Sequence, residues 1–163
     1  MRMLVQRVKR ASVVVEDALV ASIGTGLLVL VGFGEADGPL FAEDRAFAAM
    51  ARKLIDLRIF PGQGEMKNKF HASVVEFGGS ILLVPQFTLY GECRKGRRPS
   101  FTTAGNPAWA GQLFADFVRK VGALSPIRVC SGVFGAHMDV ELCNWGPVTL
   151  WLDSAELSTP KNS

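Results

Sequence analysis

Two uninterrupted apolar runs, Leu27-Leu28-Val29-Leu30-Val31 and Ile81-Leu82-Leu83-Val84, narrow the folds open to this chain more than any other feature. Each is of strand length and far too short to span a bilayer. Each also follows a glycine turn, Gly24-Thr25-Gly26 in one case and Gly78-Gly79 in the other. A strand that alternates apolar and polar residues buries one face, whereas one that is apolar at every position needs cover on both. The pair therefore predicts the centre of a sheet with layers packed above and below it.

The remaining segments supply those layers. Residues 3–15 are valine-rich and broken by charge, and Glu16-Asp17 separates them from residues 18–23, which predicts a hairpin. Phe47, Met50, Ala51, Leu54 and Leu57 recur at helical spacing, with Glu43, Asp44, Arg52, Lys53 and Asp56 on other faces, so an amphipathic helix is expected between residues 40 and 57. Asn106-Pro107 reads as the N-cap and first-turn proline of a second helix. Its buried stripe is Leu113, Phe114, Phe117, Val118 and Val121, and Gly122 is its expected stop. Residues 61–73 read as turn and loop. Met138, Val140 and Leu142, then Val148, Leu150 and Leu152, alternate with polar neighbours on either side of Gly146-Pro147, which predicts two half-buried strands joined by a turn. Beyond a single domain of residues 1–153, residues 154–163 read as a frayed tail.

A length of 163 residues with 48% hydrophobic and 20% charged composition suits one compact α/β domain with a substantial core. A net charge of +3 permits an anionic partner such as RNA without requiring one. Cys93, Cys130 and Cys143 are odd in number and form no C-x-x-C pair, which argues against a disulfide framework and a zinc site and for a reducing cytoplasm. Arg2, Arg7, Lys9 and Arg10 interrupt the apolar residues of the first segment, so no signal peptide is expected there. The chain has no G-x-S-x-G, G-x-x-x-x-G-K or H-E-x-x-H, and only two histidines, His71 and His137. No metal site and no cofactor are predicted.

Three segments are candidates for chemistry. Gln86-Phe87-Thr88, behind Pro85 at a strand end, offers an amide, an aromatic face, a hydroxyl and backbone donors. One reading is packing and ladder chemistry. The other is stabilisation of an oxyanion during acyl transfer, where one preorganised donor is worth about 3 kcal/mol of barrier. Gly146-Pro147, after Asn144, is either an ordinary reversal or a cis peptide whose carbonyls form a rigid wall. Arg94, Lys95, Arg97 and Arg98 crowd one loop, either as a solvated face or as a phosphate contact. The first two segments together suggest one site.

Five ordered segments carry a resemblance. They are Leu4-Val5-Gln6-Arg7-Val8, Gly26-Leu27-Leu28-Val29-Leu30, Gln86-Phe87-Thr88-Leu89, Arg98-Pro99-Ser100-Phe101 and Asn144-x-Gly146-Pro147-Val148-Thr149. In order and spacing the chain resembles the D-aminoacyl-tRNA deacylases, homodimeric enzymes that remove D-amino acids esterified to tRNA. The resemblance implies a layered β/β/α single domain with mixed sheet pairing and two main helices, residues 1–153 forming the deacylase domain. It implies hydrolysis of the D-aminoacyl ester without a metal, with glycyl-tRNA also admitted because glycine has no side chain to exclude. It makes Gln86, Phe87 and Thr88 the catalytic group, and Gly146 and Pro147, with Asn144, the chiral filter, supplied across the dimer interface. Arg7 would fix that loop, and Arg94, Lys95, Arg97 and Arg98 would meet the tRNA. Whether Thr88 acts as a nucleophile or only as a donor stays open.

The chain departs from the family pattern at Pro85, where a serine is usual, and carries Trp145 at the variable position of the second motif. A proline there also resembles an animal-type deacylase that edits L-alanyl-tRNA, so an L-alanyl editor with relaxed chirality is an alternative. A non-catalytic RNA-binding homodimer is another. Trp145 has two readings, stacking on adenine or packing against the partner subunit.

Overall fold

The computed structural model describes residues 1–67 and 69–157. Six strands form one sheet: β1 (Arg2–Val15), β2 (Ala18–Ile23), β3 (Gly26–Gly32), β4 (Ser80–Pro85), β5 (Val129–Ser131) and β6 (Asp139–Asp153). Four α-helices accompany them among the described residues: α1 (Arg45–Asp56), α2 (Val74–Phe77), α3 (Pro107–Leu124) and α4 (Ser154–Leu157). The sheet order is β2-β1-β3-β4-β5, with β6 on the other edge of β1. β3, β4 and β5 run parallel to one another, and the β1 pairings are antiparallel.

The two apolar runs are β3 and β4, at the centre of the sheet. Gly26 allows the two strands to meet, because a Cβ there would lie 1.9 Å from the Ser80 carbonyl oxygen. Their alternate residues feed two separate cores. Leu27, Val29, Val31, Ile81 and Leu83 join Phe47, Met50, Leu54, Leu113, Phe117 and Val121 on the helical side, where Phe47 and Phe117 meet edge to face at 5.4 Å. Leu28, Leu82 and Val84 join Val8, Val13, Ala21 and Ile23 on the opposite side. That second cover is the sheet itself. β1 pairs with β3 through residues 2–8 and with β2 through residues 11–15, so its far half carries β2 and the start of β6 back over β3 and β4. The result is a nearly closed β/β/α arrangement in one domain.

The hairpin between β1 and β2 closes on Glu16 and Asp17, with φ of 48° and 63°, the two left-handed residues that a type I′ turn requires. α1 starts at Asp44, whose carboxylate accepts from Ala46 N at 2.7 Å. α3 starts at Asn106, whose side chain accepts from Ala108 N at 2.9 Å. The second helix does not stop at Gly122 but continues to Leu124, ending where Pro126 forbids the next turn. β5 is only three residues long, and α2 is a single turn inside the expected loop, held by a capping box in which Ser73 and Glu76 bond each other's backbone N–H. Accepting from Ser73 N, the Glu76 carboxyl is held below the usual carboxylate range.

Gly146-Pro147 is not a reversal between two strands. β6 is one strand that keeps its direction through the motif and pairs with β1 on both sides of it: Val8 opposes Asn144, Gln6 opposes Thr149, and residues 145–148 face Arg7 as a bulge. The alternation on either side was a sound strand signal; the glycine and proline interrupt the ladder without turning the chain. In the segment expected to fray, residues 154–157 form α4, and Ser154 Oγ accepts from the Met1 amino group at 2.6 Å. Residues 158–163 of that segment lie outside the described residues. No helix among the described residues is long and apolar enough to cross a membrane.

Leu82 is fully buried in the core between sheet layers, while Leu19 on β2 is 64% exposed. Leu82→Ala is expected to lower unfolding free energy by about 3 kcal/mol in a urea titration, and Leu19→Ala to stay within about 0.5 kcal/mol of the parent.

Candidate active site

β4 ends at Pro85, and the chain turns at once into a 3-10 turn, Phe87–Tyr90. Proline costs no ladder bond here: Gln86 N donates to Val31 O at 2.7 Å on one side, and on the other β5 has already ended at Ser131 opposite Leu83. As the first residues of the turn, Phe87 and Thr88 carry N–H groups that the turn itself cannot satisfy. Thr88 Oγ1 accepts a hydrogen bond from the Gln86 amide. Phe87 is 56% exposed and packs edge to face on Phe101 at 5.1 Å, which explains why a phenylalanine follows the Arg98-Pro99-Ser100 stretch.

Beside this turn lies a cavity of about 780 Å³, walled by Pro85, Gln86, Phe87, Phe101, Phe114 and Phe134. Thr88 is not part of the wall; it touches the cavity through Gln86. Asn106, His137 and Met138 also line it, and none of these was picked out from the sequence as a site residue. They come from the N-cap of α3 and from the approach to β6, segments that sit far from Gln86 in sequence and meet it only because α3 packs over the sheet.

The second motif is clasped from three directions. Asn144 Oδ1 accepts from Val148 N at 2.9 Å and Asn144 Nδ2 donates to Thr149 Oγ1 at 2.8 Å, closing the base of the bulge. Arg7, only 8% exposed, donates through Nε to Trp145 O at 3.0 Å and through a terminal nitrogen to Ile59 O. Its guanidinium lies 4.5 Å from the Trp145 ring. Among the described residues no carboxylate pairs with it, and burial lowers its pKa from the usual arginine value. Trp145 packs within its own chain, its ring centre 5.9 Å from Phe77 and 6.3 Å from Phe60. Gly146 has φ of 128°, and a Cβ there would stand 2.8 Å from Arg7 Nη2. The Gly146-Pro147 peptide is cis.

A single copy does not bring the two motifs together. Arg7 is level with Leu27 and Ile81, whereas Gln86 follows the Val31–Pro85 pair. The run from Ile81 to Gln86 is about 17 Å along the strands, and β6 is separated from β4 by β1 and β3, about 14 Å across. The cavity accordingly includes no residue of the bulge.

The basic loop is a closed excursion pinned by Glu92 and Ser100, whose backbones exchange bonds of 2.8 and 2.9 Å. Arg94 is turned back onto Glu92, with Nε to Oε2 at 2.6 Å, which holds the Glu92 carboxyl below its ordinary range. Lys95, Arg97 and Arg98 are exposed and form no ion pair among the described residues, so they carry the loop's available charge. No group of three His, Cys, Asp or Glu side chains placed to hold a metal occurs among the described residues.

The comparisons agree with this architecture. Residues 4–153 match the family described as D-Tyr-tRNA(Tyr) deacylase. A protein of Desulfovibrio desulfuricans named D-aminoacyl-tRNA deacylase is 64% identical over 157 residues, covering 96% of this chain and 98% of that one. One of the same name from Thermomicrobium roseum is 51% identical, covering 96% of each chain. Among solved structures, c-Myc DNA Unwinding Element Binding Protein superposes with a TM-score of 0.82 at 34% identity, over 94% of this chain and 98% of that one. A probable eukaryotic D-amino acid tRNA deacylase shares the fold, with a TM-score of 0.78 at 23% identity over 93% and 97% of the two chains. The chain belongs to the D-Tyr-tRNA(Tyr) deacylase family, and its reaction is hydrolysis of the ester in D-aminoacyl-tRNA.

Proposed function

We propose that the ester is cleaved at the mouth of the Gln86-Phe87 cavity, and that the Gly146-Pro147 bulge of a second copy forms the wall that judges handedness there. The observation that carries this is the separation of the two motifs in one chain. The bulge is held from three sides yet lines neither the 780 Å³ cavity nor the smaller one beside it, and the Gln86-Phe87 cavity has no wall of that kind. β6 also has a free edge among the described residues and exposes Leu142 and Trp151, a surface suited to burial against a second copy.

In this arrangement water attacks the ester carbonyl, and the Phe87 and Thr88 N–H groups receive the oxygen that gains charge. Gln86 lines the same mouth, oriented by the Thr88 hydroxyl. Thr88 is thus a donor and positioning residue, its hydroxyl engaged with Gln86 rather than poised to attack. Mirror-related esters carry the same groups and differ only in where those groups project, so the filter is steric. The Gly146-Pro147 carbonyls exclude the side chain of an L-residue, and a D-residue points elsewhere. Glycine meets no obstacle, which makes glycyl-tRNA a further substrate. Lys95, Arg97 and Arg98, with Arg94 beside them, contact tRNA phosphates. The free thiols and the tRNA substrate fit a reducing cytoplasm.

Subunit mixing tests the shared site. Copies carrying Gln86→Ala with Thr88→Val, and copies carrying Gly146→Ala, should each lose hydrolysis of D-tyrosyl-tRNA in preference to its L-counterpart. Co-expressed, they should regain about a quarter of the parent rate, the share that random pairing of two defective copies restores. No recovery would put both motifs in the service of one chain and reject the proposal.

Arg7→Lys leaves one of two buried carbonyls without its charged donor and removes the flat cation over Trp145. It should cost about 2 kcal/mol of unfolding free energy, with relaxed discrimination between D- and L-esters. Arg97→Ala with Arg98→Ala should weaken tRNA binding and reduce the slope of log affinity against log salt by about 1 to 2.

A further inference from the structure

A second cavity, of about 540 Å³, opens beside the first and shares Glu35 and Thr102 with it. Its character is opposite: Arg2, Tyr90, Glu92, Arg94 and Thr103 line it, so it runs as a polar cleft from the catalytic turn toward the basic loop. Both volumes fall in the range of ligand sites. Nothing in the hydrolysis itself uses the second one.

The acids of the cleft differ in one respect. Asp37 Oδ1 accepts from the Met1 amino group at 2.7 Å and Asp37 Oδ2 from Gly34 N at 2.7 Å. Glu92 is engaged with Arg94. Glu35 is tied down only through its backbone, Glu35 N donating to Thr103 O at 2.9 Å. Its carboxylate has no partner among the described residues and stands where the two cavities join.

An esterified tRNA enters by its 3′ end, a single strand closing in cytidine, cytidine and adenosine. With the ester at the Gln86-Phe87 mouth, the nucleotide before the terminal adenosine must lie within one residue's reach of that cavity. The polar cleft is the adjoining space, and it leads toward the basic loop. We infer that the cleft is the subsite for the penultimate nucleotide, and that Glu35 reads its cytosine. The carboxylate accepts from the exocyclic amine of cytosine; uracil presents a carbonyl oxygen at that place and is repelled. Arg2 and Arg94 stand in the cleft wall, already bonded to Asp153 and Leu89 O and to Glu92 respectively, and the Thr102 and Thr103 hydroxyls complete the polar wall. Single-stranded ends are read in this manner, by hydrogen bonds to base edges in a shaped cleft. The inference rests on the ester site proposed above.

Three D-tyrosyl esters test it: those of adenosine, of the dinucleotide CpA and of UpA. The parent should hydrolyse the CpA ester with a kcat/KM about tenfold above that of the UpA ester. Glu35→Gln, at an exposed position whose amide can face either base, should bring that ratio close to one. A parent ratio near one, or a ratio that persists in Glu35→Gln, would overturn the subsite. Undiminished cleavage of D-tyrosyl-tRNA by Gln86→Ala with Thr88→Val would instead reject the ester site at the Gln86-Phe87 cavity, and the subsite with it.

Discussion

A strand that is apolar at every position has to be covered twice, and this requirement at β3 and β4 shapes the whole molecule. α1 and α3 cover one face through Phe47, Leu54, Leu113 and Phe117. A chain of this size has no second helical layer to spare. The other face is covered by the far half of β1, with β2 and the beginning of β6, folded back over Leu28, Leu82 and Val84. The length of β1 is therefore a packing solution, and its pairing with β3 first and β2 afterwards follows from it.

That solution sets what is left exposed. With β1 committed to β3 and β2 along one edge, β6 becomes the outer strand and carries the Asn144 to Thr149 bulge on the rim. The bulge is secured by a buried cation that answers to carbonyl oxygens and an aromatic face. Such a charge is costly to bury and is retained only where its hydrogen bonds are well made. Arg7 therefore couples three otherwise independent pieces: β1, the bulge, and the segment after α1 that contributes Ile59. At the opposite end of the strands, the stop imposed by Pro85 frees the donors of the following turn. The Gln86-Phe87-Thr88 turn and the Gly146-Pro147 bulge thus occupy distant ends of one sheet, each built from a local break in the ladder.

Much of this was legible in residue order. The continuous runs at 27–31 and 81–84 announced central strands, Glu16-Asp17 the hairpin, and Asn106-Pro107 the start of α3, because each signal is local and its physics complete within a few residues. Gly122 misled, since a lone glycine is a weak stop when Val121 and the following turn still pack; Pro126 ended the helix instead. Ser73 and Glu76 spelled a capping box whose single turn was too short to show a stripe. The dipeptide Gly146-Pro147 looked like a reversal because turn chemistry and bulge chemistry use the same residues, and only the register with β1 separates them. The cavity wall was least legible. Phe101, Phe134 and His137 reach Gln86 through tertiary packing, which leaves no periodic trace along the chain.

The continuity of β6 also limits how this protein can vary. A hairpin tip tolerates insertions, because both of its strands remain paired whatever lies between them. Here Asn144 faces Val8 and Thr149 faces Gln6, while Leu150 and Leu152 beyond them pack against the large core. A residue gained or lost that the bulge failed to absorb would turn the last stretch of strand inside out, bringing Trp151 inward and setting those leucines in water. The length of the segment is thus locked, the opposite of what an exposed loop ordinarily permits.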